Sequence, residues 1–216
     1  MKPANPSPFD ERAAEWDSPP RVALSRALGT VLQREIPLGP GMRVLDYGAG
    51  TGLASMAFAS MGMHVTAADT SAGMLEALEK KLEAMDPRPD IAPVLLAQGS
   101  PLPAGPFDLV HLSMVLHHVE EAGQLIADLA RRLAPGGQLA IFDLAPDEGL
   151  FHDSNAGVFH DGFEPARLRQ WFADAGLDNI RITEAHRMVR PRTTADGSVH
   201  TLEFPILLAV GVRAVP

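Results

Sequence analysis

The stretch Met42 to Gly52, MRVLDYGAGTG, limits what this chain can fold into more than any other. Met42, Val44 and Leu45 are apolar and Val44 is β-branched, so the run reads as a short buried strand ended by Asp46 and Tyr47. Gly48, Gly50 and Gly52 then alternate with Ala49 and Thr51, and an apolar-periodic segment begins at Leu53. Strand, glycine turn and helix in immediate succession put a binding loop at the carboxyl end of a strand, the usual ligand position in an open α/β sheet. Glycine admits backbone angles closed to other residues and lets a ligand lie against the main chain. The plainer reading is a tight turn with no ligand. An acidic residue at a second strand end, Asp69, favours the binding loop.

The pattern around this stretch alternates strands and helices. Residues 1–10 read as an uncoiled, proline-rich arm, and Phe9 to Trp16 as a short polar segment carrying two aromatics. After Ser18-Pro19-Pro20, Val22, Leu24, Leu28, Val31 and Leu32 mark a helix to about Arg34. A helix from about Thr51 to Ser60 follows the glycines, then a strand from Met63 to Asp69. Ser71 or Thr70 caps the next helix, where Met74, Leu78 and Leu82 recur at four-residue spacing. Ile91 to Ala97 is a third strand, which Pro93 makes irregular at its start or places toward an edge, and Phe107 to Leu112 a fourth. Glu120-Glu121 opens a helix whose buried face is Leu125, Ile126, Leu129 and Leu133. Pro135-Gly136-Gly137 reads as a turn before a fifth strand, Gln138 to Phe142, ending at Asp143.

Residues 144–163 carry no helix or strand signature, and connections that long often bear function. Leu168, Trp171, Phe172 and Ala175 then stripe a helix, and Ile180–His186 and Leu202–Val212 read as an antiparallel hairpin at the sheet edge, separated by the polar stretch 191–198. The alternation demands a mainly parallel sheet covered on both faces. The domain reading is an N-terminal arm and covering helix at 1–40 and one domain at 41–216.

Composition narrows the chemistry. Zero Cys excludes disulfides and cysteine nucleophiles. With 27 Asp plus Glu against 18 Lys plus Arg, the formal charge of -9 disfavours a nucleic-acid partner. No window is apolar enough to span a bilayer, and the first residues hold no hydrophobic signal core, so a cytoplasmic location without membrane insertion is expected. Oligomeric state is not legible, because exposed apolar patches cannot be told from core by periodicity.

The spacing Gly48-x-Gly50-x-Gly52 differs from the dinucleotide fingerprint G-x-G-x-x-G, so the neighbouring charges decide. Asp46 would repel a pyrophosphate and favour a ligand bearing a cationic amine or sulfonium. Asp69 is placed to accept both hydroxyls of a ribose. An adenosine joined to a positively charged amino-acid group suits both carboxylates better than NAD does.

VLDYGAGTG at 44–52, VTAADTSAGML at 65–75, FDLVHLSMVLHHV at 107–119 and LRRLAPGGQLAIFDL at 130–144 resemble the successive motifs of class I S-adenosylmethionine-dependent methyltransferases, in particular the small-molecule, type-11 group. The resemblance implies a Rossmann-like α/β fold: a seven-stranded, mainly parallel sheet in the order 3-2-1-4-5-7-6, strand seven antiparallel, with helices on both faces. It implies S-adenosyl-L-methionine as cofactor and S-adenosyl-L-homocysteine as product. On the matching positions, Asp46, Gly48, Gly50 and Gly52 would surround the methionyl part and its ribose. Asp69 would bind the ribose, Thr70 and Met74 would border ribose and adenine, and Ser113 would approach through backbone groups. Where the family commonly has an Asp near the adenine amino group, this sequence has Gln98-Gly99-Ser100, which leaves Gly99 and Ser100 as the contacts. FDERAAEWD, at 9–17, resembles an N-terminal helix that covers the cofactor, with Arg21 reaching the methionine carboxylate and Trp16 closing the pocket; a surface Arg and a docked Trp are the plainer roles.

Histidines cluster at strand ends and in the long loop: His111, His117, His118, His152 and His160. His111, inside a strand, reads as structural. A neutral imidazole near pH 7 suits deprotonation of a methyl acceptor, and the base is assigned to His118 helped by His160. Orienting the pocket wall or hydrogen-bonding across the loop is the competing role for either. No tight metal-binding spacing is present, so no metal is expected. The partner is a small-molecule acceptor of undetermined identity. The competing reading of the whole is a catalytically inactive S-adenosylmethionine-binding regulatory protein.

Overall fold

The computed structural model describes residues 8–97, 99–154, 156–193 and 198–215. Its strands form a seven-stranded sheet in the order β3-β2-β1-β4-β5-β7-β6, the order expected. The chain divides into two compact units, Met1–His111 and Leu112–Pro216.

The first unit is built around β1 (Arg43–Tyr47), β2 (His64–Asp69) and β3 (Ile91–Leu95), which pair in parallel. Val44, Leu45, Ala67 and Ala68 are almost fully buried, as strands with both faces covered require. β3 is the sheet edge, where Pro93 costs no ladder hydrogen bond. α3 (Leu53–Ser60) and α4 (Ala72–Glu83) supply the crossovers. Leu78 and Leu82 are wholly buried from α4, and Leu28 and Leu32 from α2 (Pro19–Glu35). The segment from Phe9 is helical, as α1 (Pro8–Arg12) and a 3₁₀ turn at Ala13–Glu15, in line with the N-terminal helix that the resemblance implied; the glycine-loop helix starts at Leu53 rather than Thr51, and β3 ends at Leu95 rather than Ala97.

β4 (Phe107–Ser113) carries the chain into the second unit. There a 3₁₀ turn at Leu116–His118 and α5 (Ala122–Ala130) lead to β5 (Leu133–Leu144), which is longer than expected. Leu133 is buried as foreseen, but on β5 rather than on α5, and Pro135–Gly137 belong to the strand. α6 (Pro165–Asp174) buries Leu168 and Phe172. β6 (Leu177–Thr193) and β7 (Val199–Arg213) form the antiparallel edge hairpin, and β7 is also antiparallel to β5. The residues between the two strands, 194–197, lie outside the described set, as do Gln98 and Asn155. The loop from 145 to 163 has neither helix nor strand among its described residues. No helix of the described residues is long and apolar enough to cross a membrane.

Candidate functional site

The first unit gathers the glycine loop, Asp69 and the N-terminal segment. Gly48, Gly50 and Gly52 all adopt left-handed backbone angles, with φ of 72°, 56° and 82°. A side chain at Gly52 would also collide with Leu78 of α4, so glycine is required there twice over. The loop is pinned to the end of β2: Gly48 N–H and Ala49 N–H donate to the Ala68 carbonyl at 2.8 and 3.1 Å.

Asp69 organises this end. Its Oδ2 accepts from Gly50 N–H at 2.7 Å and its Oδ1 from Ser71 N–H at 2.8 Å. Burial raises its pKa above the usual carboxylate value, and the main-chain donors of Ser71 and Gly50 pull against that rise. Ser71, not Thr70, caps α4, its Oγ accepting from Met74 N–H at 3.1 Å; Thr70 is exposed and Met74 buried. Asp46 is 2% exposed, and both of its oxygens are engaged. Oδ2 accepts from Ser55 Oγ–H at 2.5 Å and Oδ1 from His111 Nδ1–H at 2.8 Å. Asp46 is therefore a fixed, enclosed negative charge, and His111 is structural through this bond.

The N-terminal segment is tied to the same end by contacts that the sequence did not reveal. Asp10 Oδ1 accepts from Ser71 Oγ–H at 2.6 Å and Gly73 N–H at 2.9 Å, adding a carboxylate at the N-terminus of α4. Asp17 accepts from the Thr51 hydroxyl and pairs with Lys81, whose Nζ also donates to the Thr51 carbonyl at 2.7 Å. Trp16 lies between these anchors. Its Nε1 would be 3.7 Å from a Cβ at Gly50, its ring packs edge-on against Phe9 with centroids 5.8 Å apart, and the Arg21 guanidinium sits 4.0 Å above it. Arg21 also donates to the Trp16 carbonyl at 3.2 Å. Gly99, with φ of 78°, and Ser100 are exposed in the turn after β3.

The second unit holds Ser113 at the end of β4, followed by Met114 in the left-handed region at φ 58°. A non-glycine residue held there costs energy and clusters at functional sites. Beyond it stand three imidazoles. His117 Nδ1–H donates to Asp143 Oδ1 at 2.6 Å, and both side chains are almost completely buried. The same carboxylate accepts from Leu144 N–H at 2.8 Å. The His118 ring lies 4.1 Å from that of His117, and His152 lies 4.9 Å from His117 and 5.6 Å from His118. His118 Nδ1–H donates to the Gly157 carbonyl at 2.8 Å. Burial and the neighbouring His117 lower its pKa; the same causes, with His118 and Arg190 added, lower that of His152 to about 4. Both rings are neutral at pH 7.

His160 joins the trio through its backbone, its N–H donating to the His117 carbonyl at 3.3 Å. Its Nε2–H donates to the Val119 carbonyl at 3.0 Å, and its ring packs on Phe163 with centroids 5.1 Å apart. His117 and Asp143 were not expected to pair, and His152 had no assigned role; only the spacing of a strand-end Asp from a His-His pair could have hinted at it. Among the described residues, no group of three or more His, Cys, Asp or Glu could hold a metal ion.

Comparison with known proteins agrees with this architecture. A family model described as a methyltransferase domain matches residues 45–141. The chain is 36% identical to a demethylmenaquinone methyltransferase of Renibacterium salmoninarum, over 65% of this chain and 68% of that protein. It is 40% identical to a ubiquinone biosynthesis O-methyltransferase of a Caulobacter species, over 48% of this chain, and spans only 41% of that relative's length. The crystal structure of a SAM-dependent methyltransferase from Aquifex aeolicus has the same fold, with a TM-score of 0.66 and 20% identity over 95% of this chain and 98% of that one. Motif, strand order and relatives agree: the chain belongs to the class I S-adenosylmethionine-dependent methyltransferases, small-molecule type.

Proposed function

We propose that the first unit binds S-adenosylmethionine through the glycine loop and Asp69, and that the protein transfers its methyl group by in-line displacement to a hydroxyl of a small-molecule acceptor. The observation that carries the cofactor reading is Asp69, whose oxygens are aimed by the N–H groups of Gly50 and Ser71 while each keeps lone-pair capacity for a ribose hydroxyl. The residues fit the group in two further ways. The left-handed glycines leave main chain without side chains where the ligand would lie. Asp46, enclosed with Ser55 and His111, adds a fixed negative charge that favours a cationic ligand. Asp46 thus acts by its field rather than by direct contact, because its oxygens are already engaged. Trp16, Arg21, Thr70, Met74, Gly99 and Ser100 are proposed to border the nucleoside and methionyl parts, and Ser113 to contribute main-chain groups.

When bound, S-adenosylmethionine supplies an electrophilic methyl on a cationic sulfur. The protein's part is to align the acceptor and remove its proton. His118 is the proposed base: its Nδ1 is anchored on the Gly157 carbonyl, and burial lowers its pKa and so favours the neutral ring. His160 is assigned to holding the loop against the segment after the 3₁₀ turn. A hydroxyl acceptor is in keeping with the O-methyltransferase among the relatives.

Titration calorimetry with S-adenosylhomocysteine and with NAD tests the cofactor reading: the first should bind and the second should not. Binding of neither would refute it. Turnover across a library of hydroxylated acceptors, read as S-adenosylhomocysteine release, tests the activity.

A further inference from the structure

Beyond the last pairing of β7 with β5, Leu144 opposite Ile206, β6 and β7 run on as a ribbon of two strands, from Arg187 opposite Pro205 to Thr193 opposite Val199. Such a ribbon is marginal by itself and needs one face covered. Arg190, opposite Leu202, and Arg192, opposite His200, share a face with Phe204, which lies opposite Met188. The loop after β5 covers that face. Phe151 packs edge-on against Phe204 with centroids 5.4 Å apart, and the Arg190 guanidinium lies 4.2 Å from the centre of the Phe151 ring. Both phenylalanines are buried, so the seam between loop and ribbon is closed.

Arg192 grips the loop on both sides of His152. Its Nη1 donates to Asp153 Oδ1 at 2.5 Å and its Nη2 to the Phe151 carbonyl, to which Arg190 Nη1 also donates at 3.4 Å. The Arg192 side chain is 15% exposed and that of Asp153 91%, so the guanidinium is set in the seam and only its carboxylate partner faces water. Among the described residues two buried side-chain nitrogens lack a hydrogen-bond partner, Arg192 Nε and His152 Nε2, and both belong to this seam. Each costs stability, so a particular arrangement is kept there at the expense of polar satisfaction. Nε2 does not hold the His152 ring. The main chain on either side does, and one guanidinium holds both sides. The ring so placed stands 4.9 Å from that of His117 and 5.6 Å from that of His118.

We propose that Arg192 is a positioning residue for methyl transfer: by bracketing His152 it sets that imidazole against His117 and His118 and so holds the wall of rings around the proposed base. The proposal rests on the methyltransferase reading above and adds to it a residue remote from the motifs. The geometry asks for a fork. A guanidinium reaches a carbonyl and a carboxylate at once through separate nitrogens, whereas a lysine ammonium is a point charge on a flexible stem. Charge alone does not suffice, because an ion pair whose carboxylate is open to water gains little.

The test uses the full chain saturated with S-adenosylhomocysteine and reads the histidines directly. Diethyl pyrocarbonate acylates accessible neutral imidazole nitrogens, and mass spectrometry gives the rate at each. In wild type His152 should react about tenfold or more slower than the exposed His64. Arg192→Met and Arg192→Lys should each raise the His152 rate about tenfold with His64 unchanged, since neither side chain can hold both partners. Asp153→Asn keeps an oxygen for Nη1 and should stay within about twofold of wild type, while Asp153→Ala should rise about threefold. The Cε1–H resonance of His118 in NMR spectra is the second readout. It should move in both Arg192 variants and stay in place in Asp153→Asn, with that of His64 unmoved throughout, a pattern that general destabilisation does not produce. Should Arg192→Met fail to fold, Arg192→Lys and Asp153→Ala carry the test. The proposal is overturned if His152 reacts as fast as His64 in wild type, if the Arg192 variants leave its rate unchanged, or if the His118 resonance stays put in them. Failure of S-adenosylhomocysteine to bind wild type would overturn the methyltransferase reading along with it, whereas its binding with indifferent histidines overturns this inference alone.

Discussion

The main-chain N–H of Gly50 donates to Asp69 Oδ2 at 2.7 Å, so the carboxylate that ends β2 fixes the glycine loop that follows β1. One group thereby shapes the loop and presents its remaining lone pairs. Asn in its place keeps one oxygen but turns an NH₂ toward the N–H of Gly50 or Ser71. Asp69→Asn is expected to lower S-adenosylhomocysteine affinity by about ten- to a hundredfold, the worth of one charge-assisted hydrogen bond or slightly more. An unchanged Kd by calorimetry would remove Asp69 from the site.

Asp17, Thr51 and Lys81 close the N-terminal segment onto the glycine loop. Thr51 is buried and the Asp17 and Lys81 side chains are about one-third exposed, so the pairing is screened less than a surface ion pair. Asp17→Ala should free the segment, seen as faster proteolytic cleavage near Ala13–Asp17 and a changed Trp16 fluorescence. The rest of the fold should persist, because α2 buries Leu28 and Leu32 independently of this latch. A cleavage rate equal to that of wild type would show that Phe9 and Asp10 suffice to hold the segment.

The glycine loop, Asp69 and the strand order were legible because each depends on local pattern: three small residues, one carboxylate at a strand end, and alternating apolar runs. The latch was not, since Asp10 and Asp17 meet Gly73 and Lys81 across more than sixty positions and become partners only once α1 lies beside α4. The far half of β6 was missed for another reason. From Arg181 to Arg192 it has no fully buried residue and carries Arg181, Glu184, Arg187, Arg190 and Arg192, so no hydrophobic alternation announces it. Pairing with β7, which continues to Thr193 opposite Val199, makes it a strand. Leu133 was placed on the wrong element because a buried Leu at the end of a helical stripe has the same spacing as one that opens the next strand.

Asp46 and His111 form a buried pair whose loss should be costly. His111→Phe keeps an aromatic ring against Phe58, now 5.1 Å away, but leaves the carboxylate with Ser55 as its remaining side-chain partner of those seen here. Removing one partner of a buried hydrogen bond to a carboxylate costs about 1.5–3 kcal/mol. Denaturant unfolding should show that loss at neutral pH, and a change below 1 kcal/mol would mean that the pair is replaceable.

Acid should weaken the second unit through its histidines. The pKa of His152 falls from an ordinary 6.5 to about 4 in the folded protein, through burial and the facing His117, His118 and Arg190, with Asp143 opposing. Folding therefore favours its neutral form. The stability this group contributes is complete above pH 6.5 and is lost as pH falls through its folded pKa. His118 shifts the same way. Tm measured from pH 7 to 4 should fall less steeply in His152→Phe than in wild type, and parallel curves would deny the coupling.

Gly162 decides whether the loop can close at all. It holds φ at 82°, and a Cβ there would strike the Ala145 carbonyl and crowd Pro146 N. Both partners are backbone, so no side-chain rotation relieves the contact. The flanking bonds are those that close the neck of the loop: Asp147 N–H to the Asp161 carbonyl at 3.0 Å and Phe163 N–H to the Leu144 carbonyl. Gly162→Ala should open that neck while leaving the first unit untouched. Amide exchange is expected to rise over residues 145–163 and S-adenosylhomocysteine affinity to hold within about twofold, since the backbone bonds at the loop's neck join residues of the second unit. Acceptor turnover should drop tenfold or more, because His118 and His152 depend on the loop for their position. Full turnover with a frayed neck would show instead that these imidazoles find their places without it.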